Sequence, residues 1–161
     1  MNCTLIYLKE QKYMGITTRI LFQEHDAINF LKLQLDVLQS AIANVDAQER
    51  FLALDSDFQA DGFSYTPLLP VTTFEGENYT RFTRQAGYYY CFEVDPKDLN
   101  PQWFQTCYAY MAQCNIQIDQ SFDLEYYPAG YAEQLRSEAE NMQAHTLCLI
   151  FRKKDDSRQD G

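Results

Sequence analysis

Two carboxylates in this chain stand inside runs of aromatic residues. Glu93 follows "GYYYCF", and Glu125 sits in "FDLEYY". A carboxylate taken out of water among rings carries a strong desolvation cost. A bound organic cation relieves that cost, so the chemistry such positions suit is cation recognition. The rings would add stacking and cation–π attraction of about 0.5–2 kcal/mol per good contact. Other chemistry is hard to assemble. The two histidines, His25 and His145, have no ligand-type companion three or four residues away. No G-x-S-x-G elbow, P-loop or dinucleotide fingerprint occurs. The five cysteines (Cys3, Cys91, Cys107, Cys114, Cys148) are widely spaced, with no C-x-x-C. They read as buried, reduced thiols. No metal site and no cofactor is expected.

Those carboxylates must be positioned by strands and helices that the hydrophobic pattern reveals. Residues 4–9 and 12–22 read as extended, the second stretch rich in β-branched side chains. Ile28, Leu31, Leu35, Leu38, Ile42 and Val45 then recur at spacings of three and four, which predicts an amphipathic helix with Asp26 at its N-cap. "RFLALDSDF" and "FSYTPLLPVTTF" follow as strands, and the two prolines of the latter suggest an edge or a bulge. The same order then returns. "YTRFTRQAGYYYCFEV" predicts two strands around Gln85-Ala86-Gly87. "DPKDLNPQWFQTCYAYMAQC" predicts a helix with Asn100 at N-cap and Pro101 at the first helical position. "FDLEYY" and "HTLCLIFRKK" are strands, joined by a polar connection read as partly helical from Ala132 to Met142.

The repeated order predicts an α+β fold: two pseudo-twofold-related βαββ modules forming one antiparallel sheet, with two main helices and a central cleft. Module one covers about 1–76 and module two about 77–154, in a single domain over 1–154. The tail 155–161 is expected to be disordered.

The aromatics then fall on defined faces. On a strand, Tyr88, Tyr90, Phe92 and Val94 share one side, and Tyr89, Cys91 and Glu93 the other. Phe122, Leu124 and Tyr126 oppose Asp123, Glu125 and Tyr127 in the same way. On the second helix the apolar residues span an arc of roughly 160°, wider than packing on a sheet needs. Phe104, Cys107, Tyr108 and Met111 suffice for the core, which leaves Trp103 and Tyr110 on one flank. Trp103, Tyr90, Phe92, Tyr110 and Tyr65 are the candidate wall of the cleft, with Glu125 or Glu93 as its charge.

Net charge is −10, with hydrophobic residues at 46% and aromatic residues at 15%. No basic footprint exists for a phosphate backbone, so direct nucleic-acid binding is not expected. The N-terminus "MNCTLIYLKEQK" alternates like a strand rather than a signal peptide, and no apolar run approaches the roughly 20 residues of a membrane span. A cytoplasmic protein, monomer or homodimer, is the expectation.

The second half resembles a known family. Gly87 to Phe92 as a Gly-aromatic strand, Pro101 with Trp103 opening a helix, and "FDLEYY" as an F-E-x-Y-like strand are similar to the GyrI-like, effector-binding domain superfamily. "QKYMGITTRI" resembles its first strand, with Gly15 at the family's glycine. The resemblance implies a drug-binding cleft between two modules, as in multidrug-sensing regulators or stand-alone gyrase inhibitors. The chain resembles a stand-alone member. The family's last strand often carries a ligand-contacting Glu, used catalytically in hydrolytic members; here that position falls on Leu147 or a neighbour. The resemblance therefore implies a non-enzymatic binder of small hydrophobic aromatic compounds, cationic ones included. Its alternatives are a protein partner, gyrase or a transcription regulator, met through the acidic surface, and a hydrolase of toxic small molecules.

Overall fold

The computed structural model describes residues 2–95, 98, 100–127 and 147–154, with backbone alone for residues 25–33, Pro101 and Leu147. The expected helix over Ala132–Met142 and the tail lie outside the described residues. Nine strands form one antiparallel sheet: β1 (Cys3–Leu8), β2 (Gln11–Gly15), β3 (Thr18–Leu21), β4 (Leu52–Ser56), β5 (Gly62–Val71), β6 (Thr80–Arg84), β7 (Gly87–Val94), β8 (Asp123–Tyr126) and β9 (Leu147–Arg152). Among the described residues two helices accompany them, α1 (Ile28–Ala41) and α2 (Pro101–Gln113).

The strand order is β1-β7-β9-β8-β4-β5-β2-β6, with β3 also paired to β5. It is palindromic about the β8–β4 pair: in each half the strand after the helix lies innermost and the strand that opens the half lies outermost. Those opening strands change sides. β1 pairs β7, and β6 pairs β2, so neither bonds its neighbour in sequence.

Three local expectations need correction. The extended stretch 12–22 is two strands, broken at Ile16-Thr17 between Gly15 and Thr18. A Cβ on Gly15 would lie 2.0 Å from the Pro67 carbonyl oxygen, so only glycine allows this approach of β2 to β5. Asp26 is not an N-cap. It lies within a 3₁₀ turn over Phe22–Ala27 that precedes α1, and Val45 lies beyond the helix, bridged to Val71.

The prolines do not make β5 an edge, since it pairs β4 on one side and β2 and β3 on the other. Each proline sits where a neighbour is interrupted. In an antiparallel strand a residue's N–H and C=O point the same way. Pro67 turns its carbonyl toward Gly15 at the β2–β3 break. Pro70 turns its own to the Asp46 N–H (2.9 Å), beyond the end of β4. The missing N–H groups therefore face no ladder.

Both helices lie on one face. The register sets Ala53, Glu125, Leu149 and Phe92 in one row across β4, β8, β9 and β7, all pointing that way. Leu35, Leu38 and Ile42 of the α1 segment pack with Met14, Ile20, Tyr65 and Leu69. Cys107 and Met111 of α2 pack with Phe92, Leu149 and Phe151.

The opposite face covers itself. Ile6 and Leu8 of β1 and Phe82 of β6, from the two ends of the sheet, join one cluster with Tyr13, Leu52, Tyr89 and Ile150. The ends are also bonded. The buried Arg84 guanidinium donates to the Lys9 carbonyl (2.9 Å) and the Tyr13 hydroxyl (2.9 Å), and pairs with Glu49 (3.3 Å).

Candidate functional site

The centre of the helix-bearing face is acidic. Asp55 on β4 stands directly opposite Asp123 on β8, and Glu125 stands opposite Ala53. All three are buried, at 5%, 5% and 3% exposure. Like charges directly across a strand pair repel, and buried carboxylates lack water to screen them. The bonds that the described residues give Asp123 and Glu125 come from tyrosines. The Tyr108 hydroxyl donates to Asp123 Oδ1 from α2, and the Tyr127 hydroxyl donates to Glu125 Oε1 (3.0 Å). Neither carboxylate is in an ion pair among the described residues.

Burial holds the Asp123 carboxyl above its usual range; the Tyr108 hydrogen bond works against that shift and the nearby Glu125 charge adds to it. Burial and the bond to Asp123 push the Tyr108 hydroxyl well above its own usual range. Tyr108 is 41% exposed and meets Phe151 edge-on (ring centroids 5.4 Å apart). It therefore connects solvent to the buried carboxylates. Tyr65, fully buried, stands opposite Asp55 on β5 and completes the row.

The structure separates the expected site residues. Glu125 and Tyr65 lie in this central group. Trp103, half-buried at the start of α2, packs against both helix-face clusters, one holding Val94 and Tyr127 and the other Phe92 and Leu149. Its backbone N–H donates to Asn100 Oδ1 (2.9 Å), the expected N-cap.

Tyr90, Phe92 and Tyr110 belong to the layer between α2 and β7, where Phe92 and Tyr110 meet edge-on at 5.8 Å. They lie behind the helix rather than at the acidic centre. Glu93 is not brought to the group. Its side chain points to the opposite face, exposed, beside Cys148 of β9. The Leu147 backbone pairs with Val94, and its side chain is outside the described residues.

Sequence reasoning missed Asp55, Asp123, Tyr108 and Tyr127. One signal was present: the alternation of "FDLEYY" already put Asp123, Glu125 and Tyr127 on one side. On α2 the apolar arc points to the flank of Trp103 and Tyr110 instead. Tyr108 reaches the acidic centre, whereas Tyr110 turns away from it toward β7.

One antiparallel sheet with the two described helices on a single face is consistent with the GyrI-like fold. The chain is similar across its length to SAV2435, a structure bound to tetraphenylphosphonium (TM-score 0.65, 16% identity, covering 99% of this chain and 98% of that one). It is similar also to the EcmrR C-terminal domain (TM-score 0.65, 12% identity, 94% and 96%) and to a hydrolase from Listeria innocua (TM-score 0.53, 10% identity, 94% and 91%). No family model and no curated protein matches the sequence. Among the described residues, no helix is long and apolar enough to cross a membrane, and no group of three His, Cys, Asp or Glu side chains is placed to hold a metal ion.

Proposed function

We propose that this chain is a small-molecule effector-binding protein that takes aromatic cations over β4 and β8, between the two helices. The observation that carries this reading is the burial of Asp123 and Glu125 with tyrosine hydroxyls as their bonding partners. Tyrosine hydroxyls solvate a carboxylate but leave its charge in place. A cation seated there cancels the charge in a water-poor site, where the attraction is screened less than at the surface. Trp103 and Tyr108 supply ring faces beside it, and Tyr65 closes the floor. Tyr90, Phe92 and Tyr110 hold α2 in position rather than touching ligand. The reading contains no chemical step. The tetraphenylphosphonium bound by SAV2435, whose fold this chain shares, is a ligand of the same class.

The chain has one Trp, so Trp103 fluorescence reports on this site alone. Titration with tetraphenylphosphonium is expected to saturate, and neutral triphenylphosphine oxide to bind at least tenfold more weakly. Trp103→Ala, followed by calorimetry, is expected to weaken the cation more than tenfold. So is Glu125→Gln combined with Asp123→Asn. Undiminished affinity in the double variant would remove the carboxylates from the site and the proposal with them.

A further inference from the structure

Two cysteines meet on the face away from the helices. The β7–β9 register sets Cys91 opposite Ile150 and Cys148 opposite Glu93, so the two cysteines are diagonal neighbours on the same side. Both pack in the same cluster on that face. Cys148 is half-buried and also stands directly opposite Tyr126 on β8. The Arg50 guanidinium lies 3.9 Å over the Tyr126 ring and donates to the Tyr127 carbonyl. Those contacts hold it over the strand residue that faces Cys148. Arg50 is thus a fixed cation next to a partly accessible thiol, in a chain of net charge −10.

We propose that Cys148 and Cys91 are a hydroperoxide-reactive thiol pair, with Cys148 the attacked sulfur and Cys91 the resolving thiol. A cation and a thiol donor beside a sulfur favour its thiolate, which is the nucleophile. The neighbouring Cys91 thiol and the Arg50 charge lower the Cys148 thiol from its usual value, against burial and the Glu93 charge. The other buried thiols move the opposite way. Burial pushes Cys107 up to about 12, and the neighbouring Cys148 thiol with burial raises Cys91. An accessible low-pKa cysteine beside a resolving partner is the arrangement of reversible thiol oxidation.

The steps balance. The Cys148 thiolate attacks one peroxide oxygen; the S–O bond forms as O–O breaks, sulfur is oxidised by two electrons, and the leaving oxide takes a proton from water. The Cys91 sulfur then attacks the sulfenic sulfur, S–S forms, and the sulfenic oxygen leaves as water with the Cys91 proton. Diagonal neighbours in a sheet stand about 7–8 Å apart at Cα, whereas a relaxed disulfide wants about 4.4–6.8 Å. The link therefore draws β7 and β9 together and is readily reduced, as strained disulfides are.

The test treats the full chain with one equivalent of hydrogen peroxide at pH 7, followed by non-reducing digestion and mass spectrometry. The expected product is a Cys91–Cys148 cross-linked peptide pair that dithiothreitol reverses. In Cys91→Ser the expected product is a Cys148 sulfenic acid, trapped by dimedone, formed within threefold of the wild-type rate. Arg50→Lys keeps the charge and is expected to retain most of that rate; Arg50→Met is expected to lose about tenfold. Near-ultraviolet circular dichroism of each variant identifies any that fails to fold, and the Cys91→Ser arm requires only the smallest change. Oxidation that falls first on the exposed Cys114, or a Cys148 that reacts in neither wild type nor Cys91→Ser, would overturn the proposal.

Discussion

Asp123 faces Asp55 across one strand pair, with Glu125 two residues along on the same side. Burial disfavours the ionised Asp123 carboxylate in the folded chain alone, and this makes a sign prediction. The Asp123 carboxyl is held above its usual 3.8, with burial as the largest cause. A carboxyl whose folded pKa exceeds its unfolded one binds the extra proton in the folded state. Its contribution is fully present in acid and is lost as pH rises through the folded value. Asp123→Asn is accordingly expected to raise the melting temperature at pH 7; a gain of about 1 kcal/mol would read as about 2–4 °C in a chain of this size. Cation affinity should fall in acid as Asp123 gains its proton. Glu49 behaves oppositely. Burial raises it, but the Arg50 N–H, the Arg84 charge and the Tyr126 hydroxyl together hold it below its usual 4.5. Its stabilising contribution is present above that value and is lost as pH falls. Calorimetric melting of Asp123→Asn alongside wild type, from pH 4 to pH 8, separates the two groups.

At the scale of elements, α2 is legible in its residue types. Asn100 caps it and Pro101 opens it, as the residue types require. Asn100→Ala is expected to cost about 1 kcal/mol, measured by urea unfolding, by leaving the Trp103 N–H without its side-chain acceptor. Because Trp103 is the residue so anchored, tetraphenylphosphonium affinity should fall in the same variant. The side of α2 that meets the carboxylates was not readable. Trp103, Tyr108 and Tyr110 are all aromatic, and periodicity gives the width of an apolar stripe without saying what lies beyond either edge. Register decided that Tyr108 reaches Asp123 while Tyr110 meets Phe92. The prolines of β5 make a similar point. Their types announce an interrupted ladder, but only the partners show that the interruptions lie in β2, β3 and β4 and not at a sheet edge.

At the scale of the whole molecule, the sheet has one face for its helices and one that it closes on itself. The second face holds the apolar side of "FDLEYY" and depends on β1 and β6 curling toward each other. Arg84 ties those ends through Lys9, Tyr13 and Glu49, with its guanidinium buried. Breaking a buried ion pair by removing one partner costs about 3–5 kcal/mol, because the other charge stays behind. Arg84→Met is expected to destabilise by that amount in urea unfolding. Adding Glu49→Gln to Arg84→Met should restore part of the loss. A loss under 1 kcal/mol would show that the ends of the sheet do not need this tie.

By itself the sequence determined which described stretches are strands and which are α1 and α2, the α+β class, the cap of α2 and the alternation that puts Asp123 with Glu125. These rest on periods of 2 and 3.6 and on backbone preferences, which are local. Tertiary structure decided that β1 and β6 trade partners, that Glu93 faces away from Glu125, and that Tyr108 meets the carboxylates. Each of those depends on which strand lies beside which. The contact that settles it joins residues far apart in the chain, and no local spacing records it.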